Sequence, residues 1–474
     1  MPLFVPGPVS GLKFSPERLQ QSLEELLQAS GVLSTAPLSF VVGLSGGVDS
    51  VVLLHALSSL LTPSSPDISK PLFKIKAIHV NHQLQSAADG WQSFCVSFCQ
   101  KLNISIECVS VDATPSQGEG PEAAARNARY AAFKNLLCVD DILLTGHHLD
   151  DQIETVFLQM LRGTGVDGAA GIRQISVFNS TYLVRPLLRF SREEIESYAS
   201  DNNLTWVNDP SNSETKYDRN YLRHEVLPVM EKRWPSYRQT VGRFSQHMRQ
   251  TSELLKQISE QDYQETYNQK KGCLEIDGIN NLSSQRKNNL IRHWINSLGY
   301  QSPSDKQLNE IYTVIAAQDD ACPVLYWGEA ELRRFQNGLY LLNKNREKIP
   351  SDFLINIPNW QQGQRVKIPG YGVLELVLSK GEGISPSRLL SENIQITIRK
   401  GGERCRPKSR NKSQSLKKIF QEENTPPWLR NNIPIVFIDE QIAAVVGEFY
   451  CAPFAVENEM GLKIVHLTEC FVRD

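Results

Sequence analysis

At 474 residues the chain exceeds what one hydrophobic core usually organises, so two or three domains are expected. Its 50 Lys and Arg nearly balance 52 Asp and Glu, and a formal charge of −2 does not by itself announce a nucleic-acid partner. No apolar run reaches 18 residues, and the opening MPLFVPGPVSGLKF lacks the basic start and unbroken apolar core of a signal peptide, so a cytoplasmic protein with no membrane partner is expected. Nine cysteines without a C-x-x-C pair argue for reduced thiols rather than a zinc site or a disulfide framework.

Taken in chain order, Ser15-Pro16-Glu17 followed by Leu19, Leu23, Leu26 and Leu27 predicts a capped helix ending near Gly31. Leu38 to Leu57, LSFVVGLSGGVDSVVLLHAL, then predicts strand, loop and helix. Phe40, Val41 and Val42 suit a buried strand, and Gly46-Gly47 permits a tight turn. Val51, Leu54 and Leu57 recur at helical spacing. The loop Ser45, Gly46, Gly47, Val48, Asp49, Ser50 therefore sits at a helix N-terminus, where unsatisfied N–H groups and the helix dipole attract an anion.

A Walker loop is excluded because no lysine follows the glycines. Gly43 to Gly47 also satisfies G-x-S-x-G, the serine-hydrolase elbow, but it would follow the first strand of the chain with no earlier oxyanion loop. A Pro/Ser-rich link, Thr62 to Pro71, leads to a second strand, KIKAIHV, ending at Asn81-His82. Gln92 to Leu102 reads as helix, ISIECVSV as strand, and Pro121 to Leu137 as an Ala-rich helix carrying Arg126 and Arg129 three residues apart. Asp141 to Thr145 is a further strand. Strands alternating with helices imply parallel βαβ units with the ligand at the strands' carboxyl ends.

The helix that follows, GHHLDDQIETVFLQMLRG, has a core stripe of Ile153, Val156, Phe157, Met160 and Leu161 and projects Asp151 and Glu154 from its first turn. With His147, His148 and Asp150 this is more polar density than a helix cap requires. Mg²⁺ arriving with ATP suits it better than a dedicated protein metal site, and none of the latter is expected.

The motifs SGGVDS, HVNHQLQ, EAAARNARY, GHHLDDQIET, RPLL and NDPSNSETKYDRNYLRHEVLP, in this order from Val41 to Pro228, resemble the tRNA(Ile)-lysidine synthetase family of PP-loop ATP pyrophosphatases. The resemblance implies an α/β fold: a parallel-sheet PP-loop domain (1–235), a small helical domain (236–345) and a C-terminal α+β domain (393–474), with 346–392 unassigned. It implies ATP and L-lysine as substrates and an isoleucine tRNA with a CAU anticodon as partner, the wobble cytidine becoming lysidine. On this resemblance Ser45 to Ser50 hold ATP, Asp49 contributes to Mg²⁺ binding, and Arg126 stabilises the adenylate. Asp151 and Glu154 receive the lysine ammonium, and Arg219 and Arg223 face tRNA or the activated base. A tRNA thiolase of the same fold would want a cysteine pair that the catalytic half lacks. A non-catalytic ATP-gated RNA-binding module would have no use for Asp49, Asp151 and Glu154.

Later segments are less distinctive. Ser236 to about Gln269 is helical in period and polar, Leu282 to Gly299 and Asp305 to Ala317 are further helices, and IQITIRKGG, PIVFID and IAAVVGEF read as strands. Between Arg399 and Lys418 stand nine basic residues, among them Arg404, Lys408, Arg410, Lys412, Lys417 and Lys418, against Glu403 alone. Such a concentration is expected to contact RNA phosphates, supplying affinity and orientation rather than base choice.

Overall fold

The computed structural model describes residues 13–32, 38–61, 73–82, 88–115, 120–318 and 321–467. The link Thr62 to Pro71, part of the HVNHQLQ motif and Cys470 lie outside these. The chain divides into two compact units at Lys256/Gln257. That cut falls within a 30-residue helix, Tyr237–Thr266, beyond the boundary expected after residue 235.

The first unit is built on a six-stranded sheet ordered β3-β2-β1-β4-β6-β5, in which β1 (Leu38–Gly43), β2 (Phe73–Asn81), β3 (Ser105–Ser110), β4 (Asp141–Leu144) and β6 (Thr181–Val184) run parallel and β5 (Ile175–Phe178) antiparallel at one edge. Phe40–Val42 of β1 and Ile142–Leu144 of β4 form continuous apolar runs because helices cover both faces, as parallel sheets require. On one face α1 (Pro16–Ala29), α2 (Val48–Ser59) and α3 (Ala88–Lys101) share a core with Phe40, Val42, Leu144 and Val184. Helix α2 is buried nearly all round, which explains its run of Val, Leu and Ala. On the other face α4 (Pro121–Leu136) packs Ala132 and Phe133 against Val41, Ile78 and Leu143.

Strand order reverses at β1, which pairs with β2 on one side and β4 on the other. A crevice opens at such a point beyond the strands' carboxyl ends. The loop after β1 leads into α2, and the loop after β4 leads into α5 (Leu149–Leu161). The remaining helices are α6 (Val166–Ala169), α7 (Arg192–Asp201), α8 (Asp218–Tyr221), α9 (Leu227–Arg233) and α10 (Tyr237–Thr266). A short π-type stretch, Leu222–Val226, separates α8 from α9. The described cysteines are free thiols, and burial pushes Cys95 up to about 12 and Cys99 up to about 11, so they are inert packing groups.

The second unit holds two cores. One gathers Leu290, Ile291, Trp294 and Ile295 of Ser284–Ser297 and Leu308, Ile311 and Ile315 of Asp305–Ala316. These helices pack on a five-stranded sheet of residues 267–343, a sheet absent from the sequence reading of this region. Its strands are two to six residues long, too short for their alternation to register beside the helical period. The other core joins Ile349, Trp360, Leu374 and Leu376 to Ile394, Ile396, Ile435 and Val445. The stretch 346–392 therefore belongs with the last domain: Leu354–Asn356 pairs with Ile394–Thr397, and Gly372–Lys380 pairs with Met460–Leu467. Among the described residues no helix is long and apolar enough to cross a membrane.

Candidate functional site

A cavity of about 750 Å³ occupies the crevice of the first unit. Its floor is the loop after β1. Ser50 Oγ donates to Gly47 O at 3.0 Å and accepts from Ser45 N at 3.2 Å, while Gly47 N donates to Ser45 Oγ at 3.3 Å. Both hydroxyls thus brace the turn from within. Gly46 takes φ +90°, open to glycine at no steric cost, and its carbonyl accepts from Val207 N at 2.9 Å. Ser45, Gly47, Val48, Asp49 and Ser50 line the cavity. Gly146 brings the second loop against the first: a Cβ there would stand 3.0 Å from Asp49 C and 3.1 Å from Asp49 O.

From that second loop come His147 and His148, and from the first turn of α5 comes Asp151. His147 Nδ1 lies 3.0 Å from Thr145 Oγ1, and burial holds its imidazole neutral by lowering it to about 3. The fully enclosed His148 stands 3.6 Å from Asp49 Oδ1 and 3.5 Å from Asp151 Oδ2, linking the two acids. Asp151 caps α5 by accepting from His148 N at 3.0 Å. Burial alone would raise its pKa, but the His148 ring and Arg219 outweigh that and hold it well below the usual carboxylate range. Asp49 shows the opposite balance. Burial raises it despite His148, and its Oδ1 is buried without a hydrogen-bond partner.

Arg126 and Arg129 of α4 line the opposite wall beside Tyr130, the Arg126 guanidinium 5.1 Å from the Tyr130 ring centroid. Arg219 and Arg223 enter from α8 and the π-type turn and also line the cavity. Glu154, expected beside Asp151 at the amino-acid end, does not line it. Its carboxylate is wholly buried, with Arg219 Nε at 2.7 Å from Oε2 and Arg223 Nε at 2.7 Å from Oε1. Asp150 is likewise spent on structure, accepting from Arg192 N at 2.8 Å and from Arg238 Nε at 2.7 Å.

The NDPSNSETKYDRNYLRHEVLP motif runs along the cavity as a loop over 208–217, where Asn208, Asp209, Asn212, Glu214 and Tyr217 line it, before entering α8 and the π-type turn. Buried Asn220 holds this loop by donating to Ser211 O at 2.8 Å and Glu214 O at 3.0 Å. The sequence reading missed Arg192, Trp91, Trp206 and Tyr130, all on the wall. For Arg192 a signal existed: the Ser191/Glu194 capping box marks the start of α7 and so places Arg192 in its first turn.

The basic segment lies in the second unit. Lys408 and Arg410, expected to meet phosphate, are engaged within the fold. Lys408 Nζ donates to Val456 O at 2.5 Å, and Arg410 pairs with Glu422 and, at 2.9 Å, with Glu423. Arg404, Lys412, Lys417 and Lys418 are exposed, as Lys408 is, with Arg404 donating to Ser413 O at 3.3 Å and Lys418 standing 3.8 Å from Glu422.

Residues 16–230 match the family model of the PP-loop domain, 274–340 that of the TilS substrate binding domain and 394–466 that of the TilS substrate C-terminal domain. The tRNA(Ile)-lysidine synthase of Coxiella burnetii (strain RSA 493 / Nine Mile phase I) is 36% identical over 95% of this chain and 96% of its own. That of Methylococcus capsulatus (strain ATCC 33009 / NCIMB 11132 / Bath) is 35% identical over 91% and 96%. Among solved structures, the U34-tRNA thiolase NcsA from Methanococcus maripaludis aligns with a TM-score of 0.40 at 19% identity, over 49% of this chain and 77% of that one.

Proposed function

Because the chain belongs to the tRNA(Ile)-lysidine synthase family, we propose that it is an ATP-dependent ligase joining L-lysine to carbon 2 of the wobble cytidine of an isoleucine tRNA with a CAU anticodon, in the cytoplasm. The observation that carries this reading is the convergence of Ser45 to Ser50, Asp151, Arg126, Arg219 and Arg223 on one cavity.

Carbon 2 of cytosine is a poor electrophile because its carbonyl belongs to a urea-like ring. Attack of the carbonyl oxygen on carbon 2 upon the α-phosphorus of ATP forms an O–P bond, breaks the bond to the β-phosphate and releases pyrophosphate. The lysine ε-amine then adds to carbon 2, loses a proton, and AMP departs with the former carbonyl oxygen. The loop N–H groups, at the positive end of α2, suit the β- and γ-phosphates. Asp49, with its unpartnered buried oxygen, suits the Mg²⁺ that accompanies ATP. Arg126 on its Tyr130 platform faces the negative charge developing at the α-phosphate, where a fixed cation lowers the barrier most.

Lysine arrives as an ammonium with pKa about 10.4. Asp151, held ionised and lining the cavity, is the anion that receives it. Arg219 and Arg223 serve the nucleotide and the activated base. The exposed basic residues Arg404, Lys412, Lys417 and Lys418 hold the tRNA backbone. Pyrophosphate release from ATP tests the reading. It should require unmodified tRNA(Ile), and release equally fast with a tRNA lacking the CAU anticodon would defeat it.

A further inference from the structure

Glu154 was expected to greet an ammonium, yet its surroundings suit a different task. Its side chain has no solvent exposure, and the cavity wall does not include it. Arg219 Nε donates to Oε2 at 2.7 Å, Arg223 Nε to Oε1 at 2.7 Å and Arg223 Nη2 to Oε2 at 3.0 Å. Both arginines reach the wall, so a cation entering the cavity would meet two guanidiniums before it met Glu154. On the side of the two guanidiniums, which Asp151 alone offsets at the wall, an anion can be taken up.

The direction from which that anion comes follows from the neighbours. Arg219 and Arg223 each stand within 3.6 Å of Asp151 Oδ1. Asp151 in turn connects the pair to the phosphate loop, because His148 Nε2 stands 3.5 Å from Asp151 Oδ2 and 3.6 Å from Asp49 Oδ1. Two guanidiniums this close repel one another, and each long side chain loses rotamer freedom when fixed. One buried carboxylate that binds both removes the repulsion and fixes both side chains before any ligand arrives. The π-type turn at Leu222–Val226 begins one residue ahead of Arg223, a backbone irregularity of the kind found where a side chain must be re-aimed.

We propose that Glu154 is a positioning residue that holds Arg219 and Arg223 as a fixed guanidinium pair for the pyrophosphate portion of ATP at the Ser45–Ser50 loop, and that it does not contact lysine. This rests on the nucleotide reading of that loop.

The test uses the full-length chain and inorganic pyrophosphate as probe. In Glu154→Gln the affinity for pyrophosphate, measured by calorimetry, should fall about tenfold and the KM for ATP should rise about as much, a change of ~1.4 kcal/mol. The KM for lysine should stay within about twofold, and Glu154→Asp should recover part of the pyrophosphate affinity. A lysine KM raised about tenfold with pyrophosphate affinity kept would make Glu154 a lysine ligand and overturn the proposal, as would no change in either quantity. If Glu154→Gln fails to fold, Arg223→Lys with Glu154 intact gives the same readout: loss of pyrophosphate affinity with lysine KM unchanged supports the proposal, and the reverse overturns it. Wild-type pyrophosphate release is scored separately. Its failure to depend on tRNA would strike the functional reading, whereas the variant pattern strikes Glu154 alone.

Discussion

Replacing Arg404, Lys412, Lys417 and Lys418 together by Ser should weaken tRNA binding without harming the fold, because all four side chains are exposed at the surface of the second unit. Each lost phosphate contact lowers the slope of log affinity against log salt by roughly 0.7–0.9, so the four together should flatten it by about 3. Lys408 and Arg410 form the internal comparison. They belong to the same basic run, but Lys408 ties down the Val456 and Gly381 carbonyls and Arg410 bridges Gln414, Glu422 and Glu423. Changing those two to Ala should lower the melting temperature and move the salt slope by less than one contact's worth. The assay is equilibrium binding of unmodified tRNA(Ile) at a series of salt concentrations, with thermal melts alongside and turnover at saturating tRNA. Turnover should fall little in the quadruple variant, since these residues orient the substrate away from the reacting base. A salt slope unchanged in the quadruple variant but flattened in the Lys408/Arg410 pair would refute the assignment drawn from the ion pairs.

Asp49→Ala should abolish pyrophosphate release while leaving melting temperature and tRNA affinity near wild type, as checked by a release assay beside binding; near-normal adenylation would deny the loop its nucleotide role. Asp151→Asn should raise the KM for lysine about tenfold or more, a lost contact between opposite charges, and an unchanged lysine KM would exclude Asp151 as the ammonium's partner. For pH, the sign follows from Asp49: its pKa in the folded enzyme is raised by burial, so its anion is lost as pH falls through a value above the ordinary ~3.9. The acid limb of kcat/KM for ATP should accordingly lie above that value, whereas Asp151, held low, contributes no limb there. A profile flat down to about pH 4 would contradict this.

Much of the site is legible because its parts are contiguous. A strand, two glycines and an apolar helix within Leu38 to Leu57 leave little freedom, and the same holds for Asp141 to Gly163. Spacing also says which face of α5 carries Asp151 and Glu154. It cannot say what arrives on that face from 65 residues further along the chain, and Arg219 and Arg223 change Glu154 from an open anion into an arginine anchor. Lys408 and Arg410 teach the same lesson, since a charge run hides which members are spent on carbonyls and acids. Tyr130 read as part of an Ala-rich helix and appears as a platform once Arg126 lies over it. The stretch 346–392 resisted assignment because Gly372–Lys380 finds its partner in Met460–Leu467, some eighty residues away.

Transfer of lysine to the wobble cytidine leaves its mark in the mass of the anticodon fragment. Incubating the protein with ATP, lysine and unmodified tRNA(Ile), followed by nuclease digestion, should yield an anticodon fragment heavier by lysine less one water, formed together with stoichiometric pyrophosphate and AMP. It should not form when lysine is omitted or in Asp49→Ala. Pyrophosphate release with no mass gain on the fragment, or gain of sulfur in place of lysine, would contradict it.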